Sequence, residues 1–190
     1  MIQFLLAVGF AFAGHDAGPT GPVAHRQAAP GCEADTVYTR FKGIFVPLAE
    51  ETRRAAARSR SLSVASSRDD IRPAYMLAGI LSEEGNAATR ALLDAGVNVP
   101  ALRRQLRAVP GPHAPAGSGP DLAYSRNAVA VLSYAMRHAH SRRDSAVTTL
   151  SILSGIAQCS VDPAARLLRR VHVDSVAVER MIARQAKHSG

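Results

Sequence analysis

The chain has 190 residues, of which 47% are apolar and 5% aromatic, with no tryptophan. That composition excludes disorder throughout, and two cysteines, Cys32 and Cys159, exclude a disulfide framework. Lys and Arg outnumber Asp and Glu 23 to 15, a formal net charge of +8, which points either to an acidic partner or to a solvated arginine-rich helix surface.

The chain opens on a short apolar run, Phe4 to Phe12, and Ala11-Phe12-Ala13 before Gly14 fits the small-x-small rule for signal cleavage. No Lys or Arg precedes the run, and it is too short to span a bilayer. Two readings stay open: a cleaved leader and an exported protein, or an intact apolar start and a cytoplasmic one. A bridge between Cys32 and Cys159 fits only the first; otherwise Cys159 is a small core residue. Residues 14–36, rich in Gly, Pro, Ala and His, read as a flexible lead-in, so residues 1–36 stand apart from the helical part of the chain.

The first helical unit is expected over residues 37–109. Pro47 fits the first turn of a helix through about Arg60, with Leu48, Thr52, Ala55 and Ala56 on one face. Ser59 to Ser67 has no clear assignment. Asp69 or Asp70 can cap the next helix, with Pro73 in its first turn, Met76, Leu77, Ile80 and Leu81 as its stripe, and Gly85 at its end. Asn86 caps a third helix over Ala87 to Ala95, and Gly96 supplies the left-handed position after it. Asn98 caps a fourth, with Pro100 near its start and Leu102 and Leu106 facing inward.

Residues 110–121 (PGPHAPAGSGPD) cannot continue a helix and read as a linker. Over residues 122–186 the same order returns. Ser125 or Asp121 starts a helix to about His140 with Ala128, Val131, Leu132, Ala135 and Ala139 as its stripe. Val147 to Ala157 is strongly apolar, Asp162 with Pro163 opens the third helix, and Asp174 or Ser175 opens the fourth. No strand is expected; Val171-His172-Val173 alternates but is too short.

The two units match without a gap at an offset of 76 residues when 75–106 is laid on 151–182. Gly79 meets Gly155, Ile80 meets Ile156, Ala88 meets Ala164, Arg90 meets Arg166 and Leu92 meets Leu168. Asn86 and Asp162 share the cap position, and Gly96 and His172 each come after a helical run. A fixed period of this kind is the signature of a duplicated module. The implied fold class is all-α: two tandem, pseudo-symmetric four-helix repeats sharing one core.

The run Leu77-Ala78-Gly79-Ile80-Leu81, then Ala87-Ala88, Ala91-Leu92-Leu93 and Gly96-Val97-Asn98 before Leu102-Arg103, resembles the Clp N-terminal repeat, and residues 163–180 carry the second copy. The resemblance covers about residues 38–186. It implies the N-domain of Hsp100/Clp unfoldases, a helical module that recruits adaptors and substrates. No G-x-x-x-x-G-K-[ST] phosphate loop occurs in the sequence, so the resemblance is to the recruitment module without the motor. Family members usually carry Thr-Glu-His before the leucine-rich helix. The matching positions are Pro73-Ala74-Tyr75 and Thr148-Thr149-Leu150, without the acidic group. That puts in doubt any pocket, such as a phosphoarginine site, that uses those glutamates for a guanidinium. The Ser-rich stretch 59–68 is expected to lengthen the first repeat.

No catalytic, cofactor-binding or metal-binding residue is assigned. A nucleophile needs a neighbouring base, and no G-x-S-x-G elbow occurs; Ser154-Gly155 reads as a packing position. His138 and His140 are two apart on a helix and point to different faces. His15, His25 and His113 lie in segments read as flexible. Asp69-Asp70 and Glu83-Glu84 read as helix termini. The chain therefore reads as a non-catalytic protein-binding module. Its expected partner is a Clp ATPase or peptidase component or a substrate of one, with no membrane span and with partner-binding residues unassigned. The alternative is a basic helical protein with weak, non-specific affinity for nucleic acid, since the arginines are spread over both repeats and no aromatics interleave them.

Overall fold

A computed structural model describes residues 46–109 and 122–188. The leader, the lead-in with Cys32, and the linker lie outside the described residues. The architecture is helical: α1 (Glu50–Ala65), β1 (Asp70–Ile71), α2 (Pro73–Leu81), α3 (Ala87–Asp94), α4 (Val99–Arg107), β2 (Ala123–Tyr124), α5 (Arg126–Ser141), α6 (Thr149–Gln158), α7 (Pro163–Arg170) and α8 (Ser175–His188).

The helix starts arise from local chemistry. Side-chain oxygens of Asn86, Asn98, Ser125, Thr148, Asp162 and Asp174 accept from backbone N–H groups of Thr89, Ala101, Ala128, Ser151, Ala164 and Ala177. Each satisfies a donor that the helix itself cannot. Gly96, at φ +78°, and His172, at φ +60°, take the same left-handed place after α3 and α7.

The first two helices differ from expectation. Pro47 lies outside α1, which starts at Glu50 after an Ala49 cap without a side-chain bond. Glu50 and Glu51 in its first turn complement the helix dipole instead. The Ser-rich stretch belongs to α1 as far as Ala65. Ser59, Ser61 and Ser63 donate to the carbonyls of Ala55, Ala57 and Ser59, at 2.7, 3.1 and 3.0 Å. Ser59 and Ser63 are therefore buried without an orphaned hydroxyl. The cap of α2 is Arg72, not Asp69 or Asp70, and α2 ends at Leu81, before Gly85.

The duplication is regular in where its helices start. α1 and α5 have 16 residues each and α3 and α7 have 8 each. Each second helix starts 76 positions after the first, so the Ser-rich stretch adds nothing to the first repeat. Gly79 packs on Ala55 and Ser59 of α1, and Gly155 on Val131 of α5. Val131 is the counterpart of Ala55 at the same offset.

There are short strands after all, and they link the repeats. Asp70-Ile71 pairs in parallel with Ala123-Tyr124, and Leu48 forms a parallel bridge with Val147. Leu48 is the repeat counterpart of Tyr124, and Ile71 of Val147. Each repeat's entry segment thus pairs with the other repeat, an exchange expected of a pseudo-two-fold arrangement. Leu77, Ile80, Leu81, Leu92 and Leu102 of the first repeat form one buried cluster with Val131, Leu153, Ile156, Leu168 and Val173 of the second. Among the described residues no helix is long and apolar enough to cross a membrane. Cys159 is buried and disulfide-bonded, its partner lying outside the described residues.

Candidate functional site

An apolar groove of about 460 Å³ lies between the repeats, where α1 and α2 face α5 and α6. Its lining includes three repeat-related pairs: Leu48 and Tyr124, Ala56 and Leu132, Met76 and Ile152. The groove therefore straddles the pseudo-two-fold axis. Leu48, Tyr124, Leu132 and Met136 are only partly buried, so the core is open to solvent here. Burial pushes the Tyr124 phenol above its ordinary range, with Arg60 opposing, so the hydroxyl stays protonated. The groove has the shape and chemistry of a receptor for apolar side chains, with two methionines, Met76 and Met136, able to adjust to an occupant.

A single carboxylate of α1 joins the repeats. Glu51 Oε2 accepts from Ala87 N at 3.0 Å, the first residue of α3, and Glu51 Oε1 accepts from Thr149 N at 3.2 Å, the first of α6. Thr149 Oγ1 donates to Glu51 Oε1 at 2.9 Å and accepts from Ala88 N at 3.1 Å. One anion thus caps two helices from opposite repeats. The repeat-related node is built differently. Asn127 stands where Glu51 does and Asp162 where Asn86 does, and Asn127 Nδ2 donates to Asp162 Oδ2 at 3.1 Å. The acid and the amide have exchanged places. Burial pushes the Asp162 carboxyl above its ordinary range, against the lowering effect of Ala164 N, Asn127, Arg166 and Arg72.

Pro73-Ala74-Tyr75, the positions matched in the sequence to the family's Thr-Glu-His, lie at the start of α2. In the second repeat the counterpart is Thr149-Leu150-Ser151, one residue later than expected, because Thr148 is the cap equivalent to Arg72. Ala74 and Leu150 are both buried and carry no charge.

The other residues singled out resolve into local roles. Ser154 Oγ is buried and donates to Glu179 Oε1 at 2.7 Å. His138 Nε2 lies 3.1 Å from Glu179 Oε2, and the His138 ring stacks on Tyr134. The carboxylate therefore sits between serine and histidine, which do not touch as a nucleophile and its base would. His140 is exposed, away from His138. Asp70 binds Arg72 at 2.5 Å, and Glu83 binds Arg54 at 3.2 Å. Among the described residues no group of three or more His, Cys, Asp or Glu is placed to hold a metal. His15, His25 and His113 lie outside the described residues. The groove and the Glu51–Thr149 node are not visible in the sequence. Its one signal was the face Leu48, Thr52, Ala55 and Ala56, all of which line the groove.

Comparison with known proteins agrees with this architecture. The family described as the Clp repeat (R) N-terminal domain matches residues 48–189. The chaperone protein ClpB of Corynebacterium diphtheriae is 31% identical over 123 residues, 63% of this chain but 14% of that protein's length. The N-domain of ClpV from Vibrio cholerae superposes with a TM-score of 0.62 at 13% identity, covering 90% of this chain and 93% of that one. The Hsp104 N-terminal domain of Candida albicans gives 0.59 at 13% identity, covering 71% and 88%. A complex of a ClpV N-domain with a VipB peptide gives 0.57 at 13%, covering 83% and 88%. At those identities the structures speak for the fold, and the sequence match supplies the descent: this chain belongs to the Clp repeat (R) N-terminal domain family.

Proposed function

We propose that the chain is a non-catalytic recruitment module that holds an apolar peptide segment of a protein partner in the groove across the pseudo-two-fold axis. The observation that carries this reading is the groove itself, an opening in the core lined by both repeats and partly exposed at Leu48, Leu132 and Met136. Water against such a surface is costly, and an aliphatic side chain from a partner removes it. The solved complex of a ClpV N-domain with a VipB peptide is a precedent for peptide capture by this fold. Membership of the Clp repeat (R) N-terminal domain family supports a partner that is a Clp ATPase or peptidase component or a substrate of one. Leu132 lies on the groove and is only partly buried, so Leu132→Asp places a charge there at modest cost to the fold.

The test is titration of a fluorescent leucine-rich peptide, and of its serine-substituted version, into the wild type and Leu132→Asp. Saturable binding of the first peptide, lost in both the serine peptide and the variant, is the expected result. Equal binding to wild type and variant, with unchanged melting, would sink the groove as the site.

A further inference from the structure

Helices α4 and α7 come from different repeats and pack together. Between them lies a cleft of about 340 Å³ lined by apolar Ala108, Val109 and Leu167 and by exposed Gln105, Arg166 and Arg170. Arg166 and Arg170 are four apart on α7 and share a face. Neither forms an ion pair among the described residues. Arg104 and Arg107 close the last turn of α4, adding charge nearby.

Arginines in a last helical turn complement the helix dipole, so their presence alone proves little. The duplication provides the control. In the repeat-related place, α3 carries Arg90 and Asp94 where α7 carries Arg166 and Arg170, a balanced pair, and its last turn has no basic residue. There Gln185 stands where Val109 does, and its Nε2 donates to Ala87 O at 3.2 Å, bridging α8 and α3. Arg180 and Arg184 stand where Arg104 and Ala108 do, so both places carry cations; they differ in that one holds the Arg90/Asp94 pair and the Gln185 bridge, whereas α7 carries Arg166 and Arg170 with no acid of its own. The acids nearest in sequence, each four residues from one of these arginines, are Asp162, which is buried and bound to Ala164 N and Asn127, and exposed Asp174, which accepts from Ala177 N.

We propose that this cleft is a second docking surface, which takes an acidic segment of a protein partner with its carboxylates on Arg166 and Arg170. Arginine's planar fork suits carboxylates, and Val109 and Leu167 suit an aliphatic side chain between them. Among the described residues no aromatic side chain lines the cleft to stack a base, which favours peptide over nucleic acid. The surface uses helices other than those of the groove, so the two assignments stand or fall separately.

The experiment titrates a labelled peptide of alternating Glu and Leu into the full chain at low and at physiological salt. The variants are Arg166→Glu/Arg170→Glu and, as a charge-matched control on α1, Arg58→Glu/Arg53→Glu. Loss of affinity by about tenfold or more in the cleft variant, with little change in the control, is the expected result. Affinity should fall with salt, as for exposed charges. Equal losses in both variants would show diffuse attraction to net charge and overturn the proposal. So would absence of binding, or tighter arginine-dependent binding of random-sequence RNA. Circular dichroism of each variant shows that the fold is kept. Mapping the peptide by amide shift changes distinguishes α4 and α7 from the groove residues.

Discussion

Gly79 and Gly155 are the positions where one methyl group would disturb the most. A Cβ on Gly79 would run into Ser59 Oγ and the Ala55 carbonyl, and one on Gly155 would stand 2.5 Å from the Val131 carbonyl. The obstacles are mostly helix backbone, which cannot move aside cheaply. Gly79→Ala and Gly155→Ala should each cost about 2–4 kcal/mol despite the gain in helix propensity. Gly85, with nothing within 4 Å of its added Cβ, is the neutral control. Urea unfolding of the three variants checks this; an unchanged midpoint for Gly79→Ala would contradict the close approach.

His172 offers the opposite sign. It holds φ +60° where its counterpart is Gly96. His172→Gly should therefore stabilise by up to about 1 kcal/mol, less the added entropy of the unfolded chain. Asp162 carries a pH prediction. Its native carboxyl titrates above the ordinary range because it is buried, so the ionised form is disfavoured in the fold. The penalty is absent at low pH, where both states are protonated. It grows as pH rises through the ordinary carboxylate range and is complete above the native value. Asp162→Asn keeps an oxygen for Ala164 N, as Asn86 does for Thr89. With Asn127 turned to accept, the variant should be more stable than wild type at neutral pH, with the difference shrinking in acid. Melting curves across pH decide it; a wild type favoured at neutral pH would contradict the assignment.

At the scale of elements, the question is what holds α3 against α6. Glu51 caps both through Ala87 N and Thr149 N. Removing it leaves partly buried donors unmatched, a cost of about 2–3 kcal/mol in Glu51→Ala. Exposed Glu50, in the same turn, pairs with Arg53 at the surface, and its removal should cost little. Comparing the two variants by denaturant midpoint separates inter-repeat capping from simple loss of first-turn charge. The serines of α1 belong here too. Their hydroxyls return to carbonyls four residues earlier, so a stretch poor in helix formers continues as helix because it packs against Gly79.

For the whole molecule, the exchanged entry segments mean that neither repeat completes its own structure. Leu48 bridges to Val147, Asp70-Ile71 pairs with Ala123-Tyr124, and Gln185 reaches Ala87. A fragment of residues 122–190 alone should show no cooperative unfolding transition, and mixing it with residues 1–121 should restore one. Cooperative melting of either fragment by itself would mean that the shared core is dispensable.

Much of this architecture is legible in the sequence. Helix caps at Asn86, Asn98, Ser125, Asp162 and Asp174 are bonds between residues two or three apart, so local spacing reveals them. The offset of 76, and with it the shared place of Gly96 and His172 after a helical run, is likewise visible in a linear comparison, as is the absence of an acid at Ala74. The features that remained hidden depend on residues far apart in the chain. α1 runs through its serines because a neighbouring helix covers them, and propensity alone would stop it early. The register Thr149-Leu150-Ser151 is set by the Thr148 cap. The paired two-residue strands are too short for any periodic signal. The groove and the Glu51 node draw on several elements at once, and the charge of Arg166 and Arg170 has meaning only beside α4. Local hydrogen bonding determines where helices begin and end, whereas contacts between repeats determine which faces stay open, and those contacts exist only once the chain has packed.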